Sequence, residues 1–244
     1  MRQLLVMLIV AGAVAAAARA DNSEALANVR TIGVVSAIGD DLNHIYVGTT
    51  AFSNEESSES IADWQIDEFV VKSFGAQLAG RYQVQPVTYT KADFFPETSG
   101  IFVRADLDVE GRIKLVTPAL DAYIVVRNSV NDDYVMRTNQ HLRGIGFYQR
   151  GFLGKRTDAI FASCVVSLVD GRTAKEIDSI VLMVPGSDNI FLDKSPAHKR
   201  VDNIWGEKFA MTVEQRLQAR DAFQSMLEEA IALSVQRLEL LPKP

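Results

Sequence analysis

The chain has 244 residues, of which 48% are hydrophobic and 23% are charged. This composition is typical of a globular protein with a sizeable core, and it excludes disorder along the whole chain. The formal net charge of -6 argues against nucleic acid as the main partner. Because Cys164 is the single cysteine, a disulfide within the chain and a thiolate zinc site are both excluded.

The N-terminus has the pattern of a secretory signal peptide. Arg2 precedes an uncharged apolar run, and Ala18-Arg19-Ala20 before Asp21 is a typical cleavage site. The apolar run, residues 4–18, is shorter than the roughly 20 residues that span a bilayer. We therefore predict cleavage between Ala20 and Asp21, export to the periplasm and no stable membrane span afterwards. The signal contains no cysteine, so a lipoprotein is not expected.

The first predicted elements of the mature chain are two strands. Residues 31–38 and 42–52 are β-prone, and the turn residues Gly39-Asp40-Asp41 between them predict an opening hairpin. The polar, acidic residues 53–60 are interpreted as a loop.

A helix is predicted next, over about 60–80. Ser60 is expected to cap it, with Asp63 in a position like that of a capping box, and Gly80 follows its last turn. Its apolar positions recur at helical spacing: Ile66, Phe69, Val70, Phe74 and Leu78.

The middle of the chain is less regular. Residues 81–89 are predicted as a strand, and Pro86 suggests an edge or a strand end. A loop follows Asp93, and a short helix is expected over roughly 105–116. Residues 121–128 are predicted as another strand.

The second half contains the strongest local patterns. Residues 159–169 and 174–184 are β-prone runs on either side of an Asp-Gly turn, which predicts an antiparallel hairpin. Residues 185–208 are interpreted as a long polar connection. Thr212 and Gln215 then form a capping box. A long C-terminal helix is predicted from one apolar face: Phe223, Leu227, Ala230, Ile231, Ser234, Leu238 and Leu241.

These elements predict an α/β (α+β) fold in a single domain over residues 21–244. A single mixed sheet is expected, covered by two main amphipathic helices. The strands before and after the 60–80 helix can pair in parallel, and the 159–184 hairpin would extend the sheet antiparallel.

Catalytic and metal-binding motifs find little support. The three histidines, His44, His141 and His198, have no metal-ligand spacing, and His44 is placed in a strand with the other two in loops. Asp40-Asp41 and Asp132-Asp133 stand beside turn residues and are interpreted as turn-forming acids. Ser163 and Cys164 lie in an apolar stretch, so Cys164 is expected to be buried and inert. No cofactor and no metal are predicted.

The segment 137–156 is the candidate binding surface. It carries five cations, several glycines and a Phe-Tyr pair, without an acidic residue, and is interpreted as a loop. The mature chain has 23 basic and 31 acidic residues once Arg2 and Arg19 are removed, a net charge of -8. A basic, aromatic loop is therefore a local exception, of the composition found at binding hot spots. The predicted partner-binding residues are Arg143, Phe147, Tyr148, Arg150, Lys155 and Arg156; the alternative is a solvated loop whose aromatic rings pack under the sheet.

The order of elements resembles a family of cell-envelope proteins. The strand 121–126, the hairpin 166–177 with Asp170-Gly171-Arg172-Thr173, and the final long helix resemble the periplasmic domains of the curli-secretion-channel protein and of the penicillin-binding-protein activator lipoproteins. These domains share a fold like the amino-terminal domain of the Tol–Pal translocation protein. The resemblance implies a non-enzymatic role in binding or assembly. The chain departs from these lipoproteins in lacking an anchoring cysteine.

The sequence therefore favours an exported, soluble protein that binds another cell-envelope protein without catalysis. A periplasmic hydrolase is the first alternative, with a site assembled only in the fold from His44, His141, Asp132 and Ser163. A small-ligand carrier with an apolar pocket near Phe147 is the second.

Overall fold

The computed structural model describes residues 22–50, 53–95, 108–152, 155–185, 194–201 and 211–241. The predicted signal peptide and its predicted cleavage site, Ala20 and Asp21, lie outside the described residues.

Twelve strands and four α-helices are present in the described part of the chain. The strands are β1 (Thr31–Ala37), β2 (Asp41–Val47), β3 (Glu55–Ser60), β4 (Gln83–Gln85), β5 (Ala122–Asn128), β6 (Val130–Asp132), β7 (His141–Phe152), β8 (Lys155–Asp170), β9 (Glu176–Val181), β10 (Met183–Pro185), β11 (Lys194–Pro196) and β12 (His198–Arg200). The helices are α1 (Ser23–Leu26), α2 (Ile66–Leu78), α3 (Val109–Ile113) and α4 (Val213–Arg237), with short 3-10 turns at Ala62–Trp64 and Lys91–Phe94.

The long strand β8 organises a ten-stranded mixed sheet. Its first half pairs antiparallel with β7 and its second half with β5. Ser129 lies directly after β5, and its amide donates a hydrogen bond to the Ser163 carbonyl. The Ser129 carbonyl accepts a hydrogen bond from the Gly144 amide. The strands β5 and β7 therefore form one interrupted line along the same edge of β8, and the chain leaves this line between them.

A second interrupted line lies beside the first. β1 pairs in parallel with β5, and β2 pairs in parallel with β7. The predicted hairpin of these two strands is therefore wrong. The residues at 38–40 do not reverse the chain; Gly39, with a φ of 102°, lies in the link between two strands that run in the same direction.

The outer strands complete the sheet on both sides. The acidic strand β3 pairs antiparallel with β2, and β4 pairs in parallel with β1 after the α2 crossover. Beyond β8 lie β12 and β9, both antiparallel to it. The predicted 159–184 hairpin is thus confirmed as β8 and β9, and the parallel pairing around α2 occurs with β1.

One face of the sheet is covered by the two long helices. α2 and α4 pack against each other and against β1, β8 and β10. Strand alternation decides which side chains face them: Ala122, Ile124 and Val126 of β5 share a core with Phe74 of α2 and Phe223 of α4. α4 begins with the predicted capping box of Thr212 and Gln215.

The opposite face is covered by shorter segments. Tyr123 and Val125 of β5 pack there against Phe94 and α3. Around β7, Tyr148 packs with Phe161 and with the chain that connects β6 to β7. The predicted α/β class, with one large mixed sheet and two main helices, is confirmed, and β10 and β11 form a separate two-stranded sheet.

Several local predictions are wrong or too long. The expected loop 53–60 contains β3, because the polar segment pairs along β2 at the sheet edge. Ser60 ends that strand and does not cap α2, whose N-cap residue is Gln65. The 81–89 strand shortens to β4, and the expected 105–116 helix to α3.

The connection after β10 is also more ordered than predicted. It contains β11 and β12, so that His198 lies in a strand and not in a loop. His141 likewise begins β7. No helix in the described ranges is both long and apolar enough to span a membrane.

Candidate functional site

The predicted basic loop is a pair of sheet strands. Residues 141–152 form β7, and β8 begins at Lys155. Alternation along β7 sends Phe147 and Tyr148 to opposite faces, and both are fully buried. Phe147 packs beside His44 and Phe223, with ring centroids 5.6 and 5.5 Å away. The interpretation of these two aromatic residues as a surface is therefore wrong.

Tyr148 belongs to a buried polar cluster. The Asp133 carboxylate accepts the amides of Val135, Met136 and Thr138 at 2.8 to 2.9 Å, and the hydroxyls of Thr138 and Tyr148 at 2.8 Å. Burial alone would raise the pKa of Asp133, but these hydrogen bonds outweigh it and hold the pKa below its usual value. The acid was correctly interpreted as turn-forming, and it fixes the segment between β6 and β7.

The predicted cations differ in what they contact. Arg150 donates to the Met136 carbonyl at 3.1 Å, and Arg156 donates to Asp158 at 2.7 and 2.8 Å. The side chain of Lys155 is outside the described part. Arg143 is exposed, and its guanidinium has no ion pair or hydrogen bond within the described residues. Of the predicted set, Arg143 alone among the described side chains combines exposure with a free charged group.

Arg143 stands at the rim of a cleft formed where both strand lines are interrupted. We call it the seam cleft, and its volume is about 370 Å³. Its lining comes from the ends of β1, β2, β5 and β7, from β3 and from the 3-10 turn after β4: Ile38, Gly39, Asp40, Asp41, Asn43, Ser58, Lys91, Phe95, Asn128, Arg143 and Gly144. Gly144, with a φ of 55°, lies where β7 rejoins the first line, and Gly39 lies where the second line is interrupted.

A half-buried ion pair supports the wall of the seam cleft. Asp67 of α2 is 3% exposed and lies 2.7 Å from the Lys91 ammonium. Its other oxygen accepts the Ser36 hydroxyl at 2.6 Å and the Ile38 amide at 2.8 Å. Lys91 also donates to Asp40 at 3.1 Å. Burial alone would lower the pKa of Lys91, but the two carboxylates raise it above its usual value, so that the ammonium stays charged.

Two asparagines hold the interrupted strands together at the seam cleft. Asn43 donates to the carbonyls of Arg143 and Ile145, at 2.8 and 3.2 Å. Asn128 donates to the Ile38 carbonyl at 3.3 Å. Its amide oxygen is buried and has no hydrogen-bond partner in the described structure. A buried acceptor without a donor costs about 1–3 kcal/mol, so this oxygen lowers the stability of the fold at the seam cleft.

The charged groups at the seam cleft nearly balance one another. Lys91 is neutralised by Asp40 and by Asp67 behind it. Asp41 and Arg143, both exposed, remain as single charges of opposite sign at the rim. With Asp67 counted, three carboxylates lie near two cations, so the region of the seam cleft keeps one net negative charge.

The residues suspected of hydrolysis are not assembled into a catalytic arrangement. His141 and Asp132 lie 3.4 Å apart, but they are 70% and 97% exposed, and Asp132 borders only an open groove. Ser163 is buried and accepts the Asn131 amide at 2.7 Å. His44 lies in the helix-side core, where burial lowers its pKa to about 4.

The described residues contain no group of three or more His, Cys, Asp and Glu that could hold a metal ion. Cys164 is buried, as predicted, and burial raises the pKa of its thiol.

Sequence reasoning missed most of the seam cleft. Lys91, Asn43 and Asn128 belong to different segments, and no spacing between them indicates a site. Asp67 could have been noticed, because it is an acid beside apolar Ile66 in the first turn of α2. An acid in a first helical turn is also explained by its favourable interaction with the helix dipole, so the position alone does not indicate a site.

Comparisons with known proteins do not assign the chain. No protein-family model matches it. No curated protein matches it either.

Proposed function

We propose that the chain is an exported, non-enzymatic binding protein of the cell envelope, and that it contacts a partner protein with the surface around the seam cleft. The observation that carries this proposal is Arg143, an exposed guanidinium without an ion pair in the described part, at the rim of the cleft. Arginine is enriched at binding hot spots, and a free one costs no existing contact when a partner arrives.

Export is supported by the signal-peptide pattern of residues 1–20. The proposed mature protein begins at Asp21 and resides in the periplasm. Intact-mass measurement of the protein from a periplasmic fraction tests this. A mass that still includes residues 1–20 would contradict cleavage.

Binding without catalysis is supported by the positions of the hydrolase suspects. A general base and its nucleophile must lie within hydrogen-bond reach. Ser163 is instead bound to Asn131 in the core, and the His141–Asp132 pair is exposed to water.

Affinity capture from a crosslinked envelope fraction, read by mass spectrometry, tests the proposed surface. Arg143→Glu reverses the free charge at the rim and is expected to abolish capture of the partner. Lys175→Glu is the matched control, because Lys175 is an exposed cation in the β8–β9 turn, outside the lining of the seam cleft. Equal capture by both variants would show that the seam cleft does not contact the partner. If the unaltered protein captures no partner, the proposed binding function is refuted.

A further inference from the structure

The strand β9 has an unpaired edge, on the opposite side of β8 from the seam cleft. It pairs with β8 along one edge, and no backbone hydrogen bond among the described residues involves the other. Leu182, directly after β9, donates its amide to the Cys164 carbonyl of β8. Alternation along the strand therefore turns the backbone groups of Val181 and Ser179 outward. The Ser179 amide accordingly donates to the side chain of Asp178 and not to β8.

This edge borders an open groove with a volume of about 820 Å³. Four consecutive residues of β9, 178–181, line the groove. Because side chains alternate between the two faces of a strand, a cavity on one face would contact only every second residue. Contact with four in succession places the groove along the edge itself. We call it the β9 groove, and its other lining residues are Asn131, Asp132, Tyr134, Met183, Pro196 and Arg237.

The β9 groove has a wall on each face of the sheet. Tyr134 belongs to the segment that covers the face opposite the long helices. Met183 of β10 and Arg237 of α4 form the wall on the helix side. The edge between these walls is recessed, so the walls of two copies of the chain would meet before their β9 edges did. A single extended segment, one strand wide, can reach the edge.

The two acids of the β9 groove are already satisfied. Asp178 accepts hydrogen bonds from the side-chain amide of Asn22 at 3.1 Å and from the backbone amide of Ser179 at 2.8 Å. Asp132 is 97% exposed at the rim, 3.4 Å from His141. Neither carboxylate therefore requires a cation from a ligand.

Arg237 is the charged group of the β9 groove that lacks a counter-ion. It is half-buried, and its guanidinium contacts the Met183 sulfur without an ion pair among the described residues. A guanidinium binds a carboxylate through two parallel hydrogen bonds, which a thioether cannot replace. On the other wall, Tyr134 and Val181 offer apolar surface. The two walls therefore match an extended segment with an acidic side chain on one face and apolar side chains on the other.

We propose that the β9 groove binds an extended segment of a partner protein, which pairs with β9 as an added strand and places an acidic side chain on Arg237. Main-chain hydrogen bonds supply affinity in this mode, and alternate side chains supply specificity. The inference goes beyond the proposed function, because Arg143 does not line this groove.

Fluorescence anisotropy with the purified mature protein tests the proposal. The probe is a labelled nonapeptide of alternating threonine and valine with glutamate at its centre, and the control peptide carries glutamine there. Since strand addition depends on main-chain hydrogen bonds, a peptide of this general pattern is expected to bind. The glutamine peptide should bind about tenfold more weakly, because it loses a hydrogen bond between charged groups.

A matched pair of α4 variants tests the role of Arg237. Arg237→Gln should weaken binding of the glutamate peptide about tenfold and leave binding of the glutamine peptide unchanged. Arg220→Gln is the control, because Arg220 lies on the same helix, pairs with Asp221 and does not line the groove. It should retain the preference for the glutamate peptide.

Val181→Pro tests the strand pairing. Proline removes the outward amide at this position, a change that an edge strand tolerates. The variant is expected to keep its urea transition and to lose binding of both peptides. If it does not fold, two N-methylated peptides replace it, one methylated at every valine and one at every other residue. Because one of these sets of amides faces β9, one of the two peptides is expected to lose binding.

Three results would overturn the proposal: no binding of either peptide to the unaltered protein, equal binding of the glutamate and glutamine peptides, or binding that survives Val181→Pro and both N-methylations. A dimer of the unaltered protein that Val181→Pro dissociates, measured by sedimentation, would also overturn it, since a second copy would then occupy the edge. None of these results bears on the protein capture measured with Arg143→Glu.

Discussion

His44 lies in the core and stays neutral at mildly acidic pH, where an exposed histidine would be protonated. Its neighbours are the rings of Phe147 and, beyond it, Phe223. Burial lowers its pKa to about 4, from 6.5. The unfolded chain therefore binds a proton between these two pH values that the folded chain does not bind.

This difference predicts a loss of stability on acidification. As the pH falls from 6.5 to 4, His44 should lower the free energy of unfolding by about 3 kcal/mol. In His44→Leu that part of the pH dependence is expected to disappear, as measured by urea unfolding at pH 7 and pH 4.5. Ile45→Val, the neighbouring substitution without a titrating group, should cost about 1 kcal/mol at both pH values. A parallel pH profile for His44→Leu and the unaltered protein would contradict the prediction.

The Tyr148 hydroxyl acts on a charged acceptor. It donates to the buried Asp133 carboxylate at 2.8 Å, while the tyrosine ring fills the core. Tyr148→Phe keeps the ring and removes the donor, so the free energy of unfolding at pH 7 should fall by about 1.5–3 kcal/mol. Tyr46→Phe, on neighbouring β2, is the control and should be nearly neutral. Equal stability of the two variants in urea unfolding would show that the Asp133 cluster does not need this donor.

At the scale of elements, two glycines differ in whether a side chain would fit. A Cβ at Gly146 of β7 would lie 2.3 Å from the Asn43 carbonyl oxygen and 2.5 Å from the Phe161 ring. Backbone cannot yield there without breaking the pairing of β2 and β7. A Cβ at Gly75 of α2 would meet nothing closer than Val84, at 4.0 Å.

Alanine at the two positions should therefore change stability in opposite directions. Gly146→Ala is expected to lower the free energy of unfolding by about 1–3 kcal/mol or to prevent folding. Gly75→Ala should raise it by about 0.5–1 kcal/mol, because alanine favours a helix interior. Thermal unfolding of both variants measures this, and a destabilised Gly75→Ala would contradict the open space beside α2.

Elements whose signals are local could be predicted from the sequence. Thr212 with Gln215 marks the first turn of α4 by a reciprocal pair of hydrogen bonds, and the apolar period that follows fixes its buried face. The β8–β9 hairpin was equally local, since Asp170 accepts the amides of its own turn.

Elements whose pairing partners are distant in sequence could not be predicted in this way. The residues around Gly39 have the chemistry of a turn, yet β1 and β2 are held apart by their pairing with β5 and β7, more than 80 residues away. The same distant pairing converts 141–152 into a strand and buries its aromatic side chains. The seam cleft exists only once those pairings form, so of its residues only Arg143 was predicted as a binding residue.

At the scale of the molecule, β8 is shared by the two halves of the sheet. Residues 155–163 pair with β7, and 164–170 with β5, without a break in the strand. The core on the helix side is likewise continuous from Ile160 to Leu168. We therefore expect the two halves of the sheet to unfold together.

A single cooperative transition follows from this continuity. Ile160→Ala and Leu168→Ala, one in each half of β8, should each cost about 2–5 kcal/mol. Each should shift the whole urea transition, with coincident curves by circular dichroism and tryptophan fluorescence and an unchanged slope. Two resolved transitions, only one of which moves with each variant, would mean that the halves are separate folding units.

The interruption between β5 and β7 also bears on how this chain could be engineered. The strand line is left at Ser129, whose amide donates to the Ser163 carbonyl, and is rejoined at Gly144, whose amide donates to the Ser129 carbonyl. Lengthening the excursion therefore leaves the register of the sheet unchanged, and the entropic cost of a longer excursion grows only slowly with its length. A longer excursion can thus extend the rim of the seam cleft beside Arg143, provided that β6 and the Asp133 cluster are retained, which makes this fold a candidate scaffold for engineered recognition.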